Sequence, residues 1–390
     1  MHDRPRRILP VIIASQFAGT SIWFAGNAVM GDLQRQWGLP PEAVGEITSA
    51  VQLGFIVGTL VFAFLALADR LSPRIVFFAC ALAGALANAA IVAAAEGMAP
   101  LLALRFATGF FLAGIYPVGM KIAAGWYRHD LGHALGFLVG ALVLGTAFPH
   151  LLKALSAAWP WQTVLLGASA VAAAGGVLMF ALVPDGPYLA RGARFNPAAL
   201  AVVFRSADFR SSVFGYFGHM WELYAFWAFV PLLLAARVPG LDTSLWSFFV
   251  IAAGFAGCAV GGRISLSAGS ARVAAAQLSA SGLCCLASPL FFLAPDWLFL
   301  AFLVAWGAVV VGDSPQFSAL NAAYAPREWI GSALTIGNSI GFAITIVSIQ
   351  LLAAALSWLP LQFLFVLLLP GPVLGLAALR PLLRVATAPR

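Results

Sequence analysis

The chain has 390 residues, of which 62% are hydrophobic and only 9% charged, against roughly 45–50% and about 25% in soluble globular domains. So few charges cannot cover a water-soluble exterior, and so apolar a composition excludes disorder. The net charge of +7 would suggest nucleic acid in a soluble protein, but in a membrane protein basic residues report topology, so no nucleic-acid partner is expected.

The aromatic content of 13%, with scattered Gly and Pro and no alternating ten-residue segments, points to helices rather than a barrel. Apolar stretches of about 20 residues, the length that crosses a bilayer, occur twelve times. The first six cover roughly 8–30, 45–68, 75–95, 99–123, 133–155 and 161–183. The second six cover roughly 209–236, 244–266, 272–293, 297–323, 330–354 and 359–379. Between the sets lies the longest polar segment, opening on the breaker Pro184-Asp185-Gly186-Pro187 and carrying Arg191, Arg194 and Arg205. The expected organisation is therefore an N-terminal six-helix bundle over 1–183, a cytoplasmic linker over 184–207 and a C-terminal six-helix bundle over 208–390.

Arginine divides the connections by side. Arg4, Arg6, Arg7, Arg70, Arg74, Arg128, Arg191, Arg194, Arg205, Arg210, Arg272, Arg327, Arg380, Arg384 and Arg390 fall on one side, and Arg35 and Arg237 on the other. Both termini are expected in the cytoplasm, with the chain multi-pass in the inner membrane. The N-terminal arginines followed by an apolar stretch imitate a signal peptide, but that stretch exceeds twenty residues and lacks a small-x-small cleavage site, so it reads as an uncleaved first helix. Cys80, Cys258, Cys284 and Cys285 sit in apolar runs at spacings that fit neither a disulfide framework nor a zinc site.

The two halves repeat. Phe17 and Trp23-Phe24-Ala25 answer to Phe217 and Leu223-Tyr224-Ala225 at an offset of 200, as does Gly54-Phe55 to Gly254-Phe255. Gly114-Ile115-Tyr116-Pro117 and Gly132-His133-Ala134-Leu135 pair with Gly312-Asp313-Ser314-Pro315 and Gly331-Ser332-Ala333-Leu334 at offsets of 198 and 199. Because six is even, the repeats share one orientation, about an axis along the membrane normal.

Two motifs carry a family resemblance. Asp69-Arg70-Leu71-Ser72-Pro73-Arg74, between the second and third spans, resembles the Asp-Arg-x-Gly-Arg-Arg/Lys loop of the major facilitator superfamily. Arg105-Phe106-Ala107-Thr108-Gly109 in the fourth span is similar to that superfamily's Arg-x-x-x-Gly element, and the twelve-helix pseudo-repeat covers the whole chain. The sequence departs from the loop motif at Leu65 and Ser72, where glycine is usual, and its second-half counterpart around Gly261-Gly262-Arg263 lacks the acid. The resemblance implies the all-α polytopic fold of that superfamily, two pseudo-symmetric six-helix bundles that work by alternating access. It also implies that helices 1, 4, 7 and 10 line a central cavity, and that Asp69, Arg70 and Arg74 form a conformational latch. An Asp at such a turn can sit against a neighbouring helix N-terminus; ordinary solvated loop charges are the alternative.

Charge inside a span costs at least ~2.5–3.5 kcal/mol per residue at the helix centre. Arg105, Glu222 and Asp313 lie too deep to reach water except through a cavity, whereas Lys121 and Lys153 are near span ends and can snorkel. His219 and Glu222 are three apart on one helix face, with Trp221 and Tyr224 within a turn, so the pair is a candidate proton carrier; a structural hydrogen-bonded pair is the alternative. The run Asp313-Ser314-Pro315-Gln316-Phe317-Ser318, with Asn321 beyond, is unusually polar, and Pro315 frees backbone carbonyls there. Tyr116-Pro117 puts a second break at the corresponding place in the first half, and paired interruptions point to a transporter's binding region. On helix 1, Gln16, Thr20, Trp23 and Asn27 follow helical spacing, as a cavity wall or as helix-packing contacts. The candidate substrate contacts are thus Arg105, Trp23, Asn27, Tyr116, Tyr224, Gln316 and Asn321; the candidate proton carriers are Glu222, Asp313 and His219.

Other patterns are weaker. His129 and His133 have metal-like spacing but lie in a loop without a third ligand, and Gly136-x-x-x-Gly140 permits close packing. The Gly-Pro-x-x-Gly-Gly element of the family's proton antiporters is not matched by Gly145-Thr146-Ala147-Phe148-Pro149-His150, and Gly337-Asn338-Ser339-Ile340-Gly341 resembles nitrate porters without their partner motif. The expectation is proton-coupled import of a small polar or anionic metabolite, with Arg105 countering an anion. Proton-coupled efflux of a drug or metabolite is the alternative, and a membrane enzyme would need a clustered nucleophile or metal set that the sequence does not offer. A monomer in the bilayer, binding its substrate and H+ and carrying no cofactor or metal, completes the reading.

Overall fold

A computed structural model describes residues 6–94, 96–127, 131–156, 158–189, 196 and 204–387. The described residues form helices and no strands. The chain divides into two compact units, Met1–Phe195 and Asn196–Arg390, a division that falls within the polar segment between the two sets of spans. Arg191, Arg194, His129 and Asp130 lie outside the described residues.

Unit 1 contains α1 (Ile8–Thr20), α2 (Ala25–Ala28), α3 (Met30–Trp37), α4 (Ala43–Phe64), α5 (Leu67–Arg70), α6 (Pro73–Ala94), α7 (Met98–Leu112), α8 (Tyr116–Trp126), α9 (Leu131–Leu155) and α10 (Gln162–Leu182). Unit 2 contains α11 (Ala207–Arg237), α12 (Thr243–Ala268), α13 (Ser270–Phe292), α14 (Asp296–Gly312), α15 (Ser314–Tyr324), α16 (Ile330–Ala355) and α17 (Pro370–Thr387). Among the described residues, eleven helical stretches are long and apolar enough to cross a membrane, α7 with α8 and α14 with α15 counting as one each.

The expected first span over 8–30 is corrected. It is not one helix: α1 ends at Thr20, residues 21–24 leave the helix, and α2 and α3 follow as short pieces before Gly38 closes α3 in the left-handed region at φ +64°. Its repeat mate α11 runs unbroken for 31 residues, Ser206 capping it by accepting a hydrogen bond from Phe209 N at 3.3 Å. The paired breaks in the fourth and tenth spans are present, with Pro117 and Pro315 in the first turn of α8 and α15, where a missing N–H costs nothing.

Lipid supplies no hydrophobic force between helices, so close backbone approach must hold the spans together. Glycine provides it at the same place in each unit. A Cβ on Gly54 of α4 would strike Phe106 O of α7, and one on Gly109 of α7 would strike Val51 O of α4. In unit 2, Gly257 of α12 lies against Ala308 O, and Gly307 of α14 against Val250 O. Gly109→Ala should therefore force α4 and α7 apart and lower the melting temperature, an overpacking cost of about 1–3 kcal/mol. Gly136→Ala, with open space around its Cβ, is the control and should melt like the wild type. Equal melting of Gly109→Ala and wild type would remove the seam from the account.

The two arginines on the minority side are each tied to an acid. Arg35 meets Asp32 at 2.6 Å, and Arg237 meets Asp296 at 2.8 Å while donating to Phe292 O and Ala294 O at the end of α13.

Candidate functional site

In unit 1 the polar interior gathers around the break in the first span. Leaving the helix frees the carbonyls of Ile22 and Trp23 inside apolar surroundings, where an unsatisfied acceptor costs about 1–3 kcal/mol. Arg105 of α7 supplies the donors: Nη1 lies 3.1 Å from Ile22 O and 3.2 Å from Asn88 Oδ1, and Nη2 bonds Trp23 O. Asn88 is itself fixed by α10, donating to Leu165 O at 3.1 Å and to Ser169 Oγ at 3.0 Å. Gly26 makes room, since a Cβ there would stand 3.1 Å from Arg105 Nε. Arg105 is completely buried, and both ends of its fork are committed to the protein.

Trp23 and Asn27 face α4. The Trp23 indole donates to Gln52 Oε1 at 3.3 Å and packs on Phe55, while Asn27 Nδ2 donates to Thr48 Oγ at 2.7 Å. Asn27 Oδ1, Gln52 Nε2, Thr146 Oγ and His150 Nε2 are buried without a hydrogen-bond partner among the described residues. Tyr116 is buried at the start of α8. Gln52, Asn88 and His150 were not singled out by sequence reasoning, although a lone amide or imidazole inside an apolar span is a readable signal.

At the other end of unit 1, Asp69 in α5 pairs with Lys121 of α8 at 2.6 Å. Lys121 is thus a partner of Asp69 rather than a snorkelling end residue. Arg74 lies over the Phe180 ring, 5.5 Å from its centroid, and Ser72 donates to Asp185 Oδ1 at 2.6 Å. Arg70 closes α5 and is not brought to Asp69. Ala66, just before α5, holds φ +49°, a left-handed conformation that glycine adopts at no steric cost.

In unit 2 the deep polar groups form two clusters. His219 of α11 places Nδ1 2.8 Å from Asp313 Oδ1, across to the break between α14 and α15. The expected His219–Glu222 pair is therefore corrected: the two share a face of α11, but Glu222 turns to α13, where Ser281 Oγ donates to its Oε2 at 2.8 Å and Cys285 Sγ stands at 3.6 Å. The Trp306 indole donates to Ser281 Oγ at 2.9 Å, which directs the serine proton onto the carboxylate. All of Glu222, His219 and Asp313 are buried, and Glu222 Oε1, Asp313 Oδ2 and His219 Nε2 have no hydrogen-bond partner among the described residues. Gln316 is buried one turn into α15, Asn321 Oδ1 accepts from Ser212 Oγ at 2.6 Å, and Tyr224 packs against Trp227 and Phe342. Ser281 and Trp306 escaped the sequence reading because neither is charged.

Chemically, unit 2 holds two fully buried carboxyls, and burial penalises a carboxylate that is not closely paired or hydrogen-bonded. No group of three or more His, Cys, Asp or Glu suited to a metal ion occurs among the described residues.

A family model described as Major Facilitator Superfamily matches residues 11–349. A crystal structure of the human organic anion transporter MFSD10 is similar in fold, with a TM-score of 0.70 over 96% of this chain and 99% of that one at 16% identity. No curated protein sequence matches the chain.

Proposed function

Because the chain belongs to the major facilitator superfamily, we propose that it imports a small polar or anionic metabolite together with protons by alternating access. The observation that carries this reading is the pair of buried carboxyls in unit 2. Glu222 takes its hydrogen bonds from uncharged groups, and Asp313 stands against the His219 imidazole, with no Lys or Arg paired to either carboxyl among the described residues. Such groups suit a carrier that loads a proton from one side of the membrane and releases it to the other.

An anionic substrate is favoured by Arg105, whose positive charge is buried in unit 1 with carbonyl and amide oxygens as its partners. Its part is then to set the potential and to hold the first span open, not to grip the substrate with a free fork. The structurally similar human protein is described as an organic anion transporter, which is in keeping with this class. In unit 1, Trp23, Asn27 and Tyr116 are the proposed substrate contacts; in unit 2, Tyr224, Gln316 and Asn321. Asp69 and Lys121 act as the latch, and Arg70 and Arg74 belong to the same loop, Arg74 holding it against Phe180. The proposal takes both termini to be cytoplasmic and the membrane to be the inner one, a reading supported by the arginine distribution.

The test is uptake by proteoliposomes under an imposed inward proton gradient, across a panel of labelled mono- and dicarboxylates. Accumulation of at least one of them, collapsing with a protonophore, is the expected result. Uptake indifferent to the protonophore would reject coupling, and gradient-driven extrusion would reject import.

A further inference from the structure

Unit 1 has a cavity of about 480 Å³ at the end opposite the Asp69–Lys121 pair, walled by the end of α3, the α6–α7 connection and the start of α10. Its size falls within the range of small-molecule sites. Trp37, Trp161, Gln36, Gln162 and Glu96 line it, together with the apolar Val92 and Ala93.

The chemistry of this wall is specific. Trp37 and Trp161 pack edge to face, 5.9 Å between ring centroids and 84° between planes, and the indole surface that this contact leaves uncovered lines the cavity, where a cation can lie against it. Trp161 is fixed in place: it is buried, and its indole N–H donates to Gln36 Oε1 at 2.7 Å. That bond leaves the rings, rather than an N–H donor, to meet an occupant. Gln162 Oε1 is buried and has no hydrogen-bond partner among the described residues, a carbonyl dipole that favours positive charge. Glu96 brings the one formal charge among the lining residues, and it is negative.

Arg35, next to the lining residue Gln36, and Lys153 are engaged elsewhere. Arg35 and Lys153 both bind Asp32, at 2.6 and 2.7 Å, and neither lines the cavity. A carboxylate, an acceptor carbonyl and the uncovered surface of two indoles would repel an anion and attract a soft cation. The geometry points to a binding site for an alkylammonium group, distinct from the buried polar clusters and independent of the proton-coupled reading. The same chemistry is met by a free organic amine and by the ammonium headgroup of a phospholipid.

The experiment uses the full chain purified in a nonionic, lipid-free detergent and titrated calorimetrically with tetramethylammonium chloride, against sodium chloride at equal ionic strength. Saturable heat is expected for tetramethylammonium alone. Glu96→Gln, an exposed change that leaves the fold intact, should weaken binding about tenfold or more, since it removes the only charge of the site. Trp37→Leu should weaken it as well, while Trp37→Phe, which keeps a π face, should retain much of it. The source is read by repeating the titration in phosphatidylcholine and phosphatidylglycerol nanodiscs. Competition by the choline lipid alone assigns the site to a headgroup, and equal binding in both assigns it to a free amine. Absence of saturable binding to the wild type, or wild-type affinity in Glu96→Gln, overturns the proposal.

Discussion

Glu222→Gln is expected to yield a protein that inserts, folds and exchanges substrate downhill yet no longer concentrates it. The amide keeps the shape of the carboxyl and can still accept the Ser281 hydroxyl, so the packing between α11 and α13 is conserved. What it loses is the titrating proton. With the coupling free energy between proton and solute removed, the accumulation ratio in proteoliposomes should fall to about one. Measuring net uptake and counterflow on the same preparation separates the two effects. Wild-type accumulation in Glu222→Gln would move the carrier role to Asp313, for which Asp313→Asn is the matching variant, and loss of counterflow would show damage to the fold instead.

The second large effect is at Arg105. Arg105→Ala leaves Ile22 O, Trp23 O and Asn88 Oδ1 buried without their donors. Removing one partner from a buried charged network typically costs about 3–5 kcal/mol, enough to consume much of the stability of a marginal protein. The expected result is a steep fall in melting temperature and in folded yield. Arg105→Lys keeps the charge but replaces a planar fork by a single ammonium that cannot serve acceptors on two elements at once, so it should restore part of the stability and little of the transport. Gly26→Ala pushes on the same guanidinium from the other side and should share the transport defect with a milder loss of stability. An Arg105→Ala protein that melts like the wild type would refute the clasp.

The sequence shows those parts of the fold that rest on local chemistry. The proline pair Pro117 and Pro315 announces its breaks because a missing N–H is a local defect, and the +200 offset is legible because each half had to preserve the same packing. The break at residues 21–24 is different. No proline marks it, and the group that makes it tolerable, Arg105, comes from 82 and 83 residues away. The same limit applies to His219. Helical spacing correctly puts Glu222 on its face, but the choice of partner is made by Ser281 and Asp313, which arrive from other helices. Spacing along a helix says which side chains share a direction; it says nothing of what waits there. Lys121 misleads for the same reason, since its position near a span end is compatible with snorkelling until α5 brings Asp69 to it.

The glycine seams set an order of assembly during synthesis. α4 and α7 are not consecutive, because α6 lies between them, so the Gly54 face of α4 stays against lipid until α7 has been made. The first span waits longer. At 13 residues, α1 is about 20 Å long, short of the ~30 Å hydrocarbon core. Its backbone meets Gly175 of α10, the last helix of the unit, which emerges on the order of ten seconds later at ~5–20 residues per second. A segment made before the rest of unit 1 is therefore among the last of that unit to settle. Mutations in α10 should show themselves first as a misplaced N-terminus.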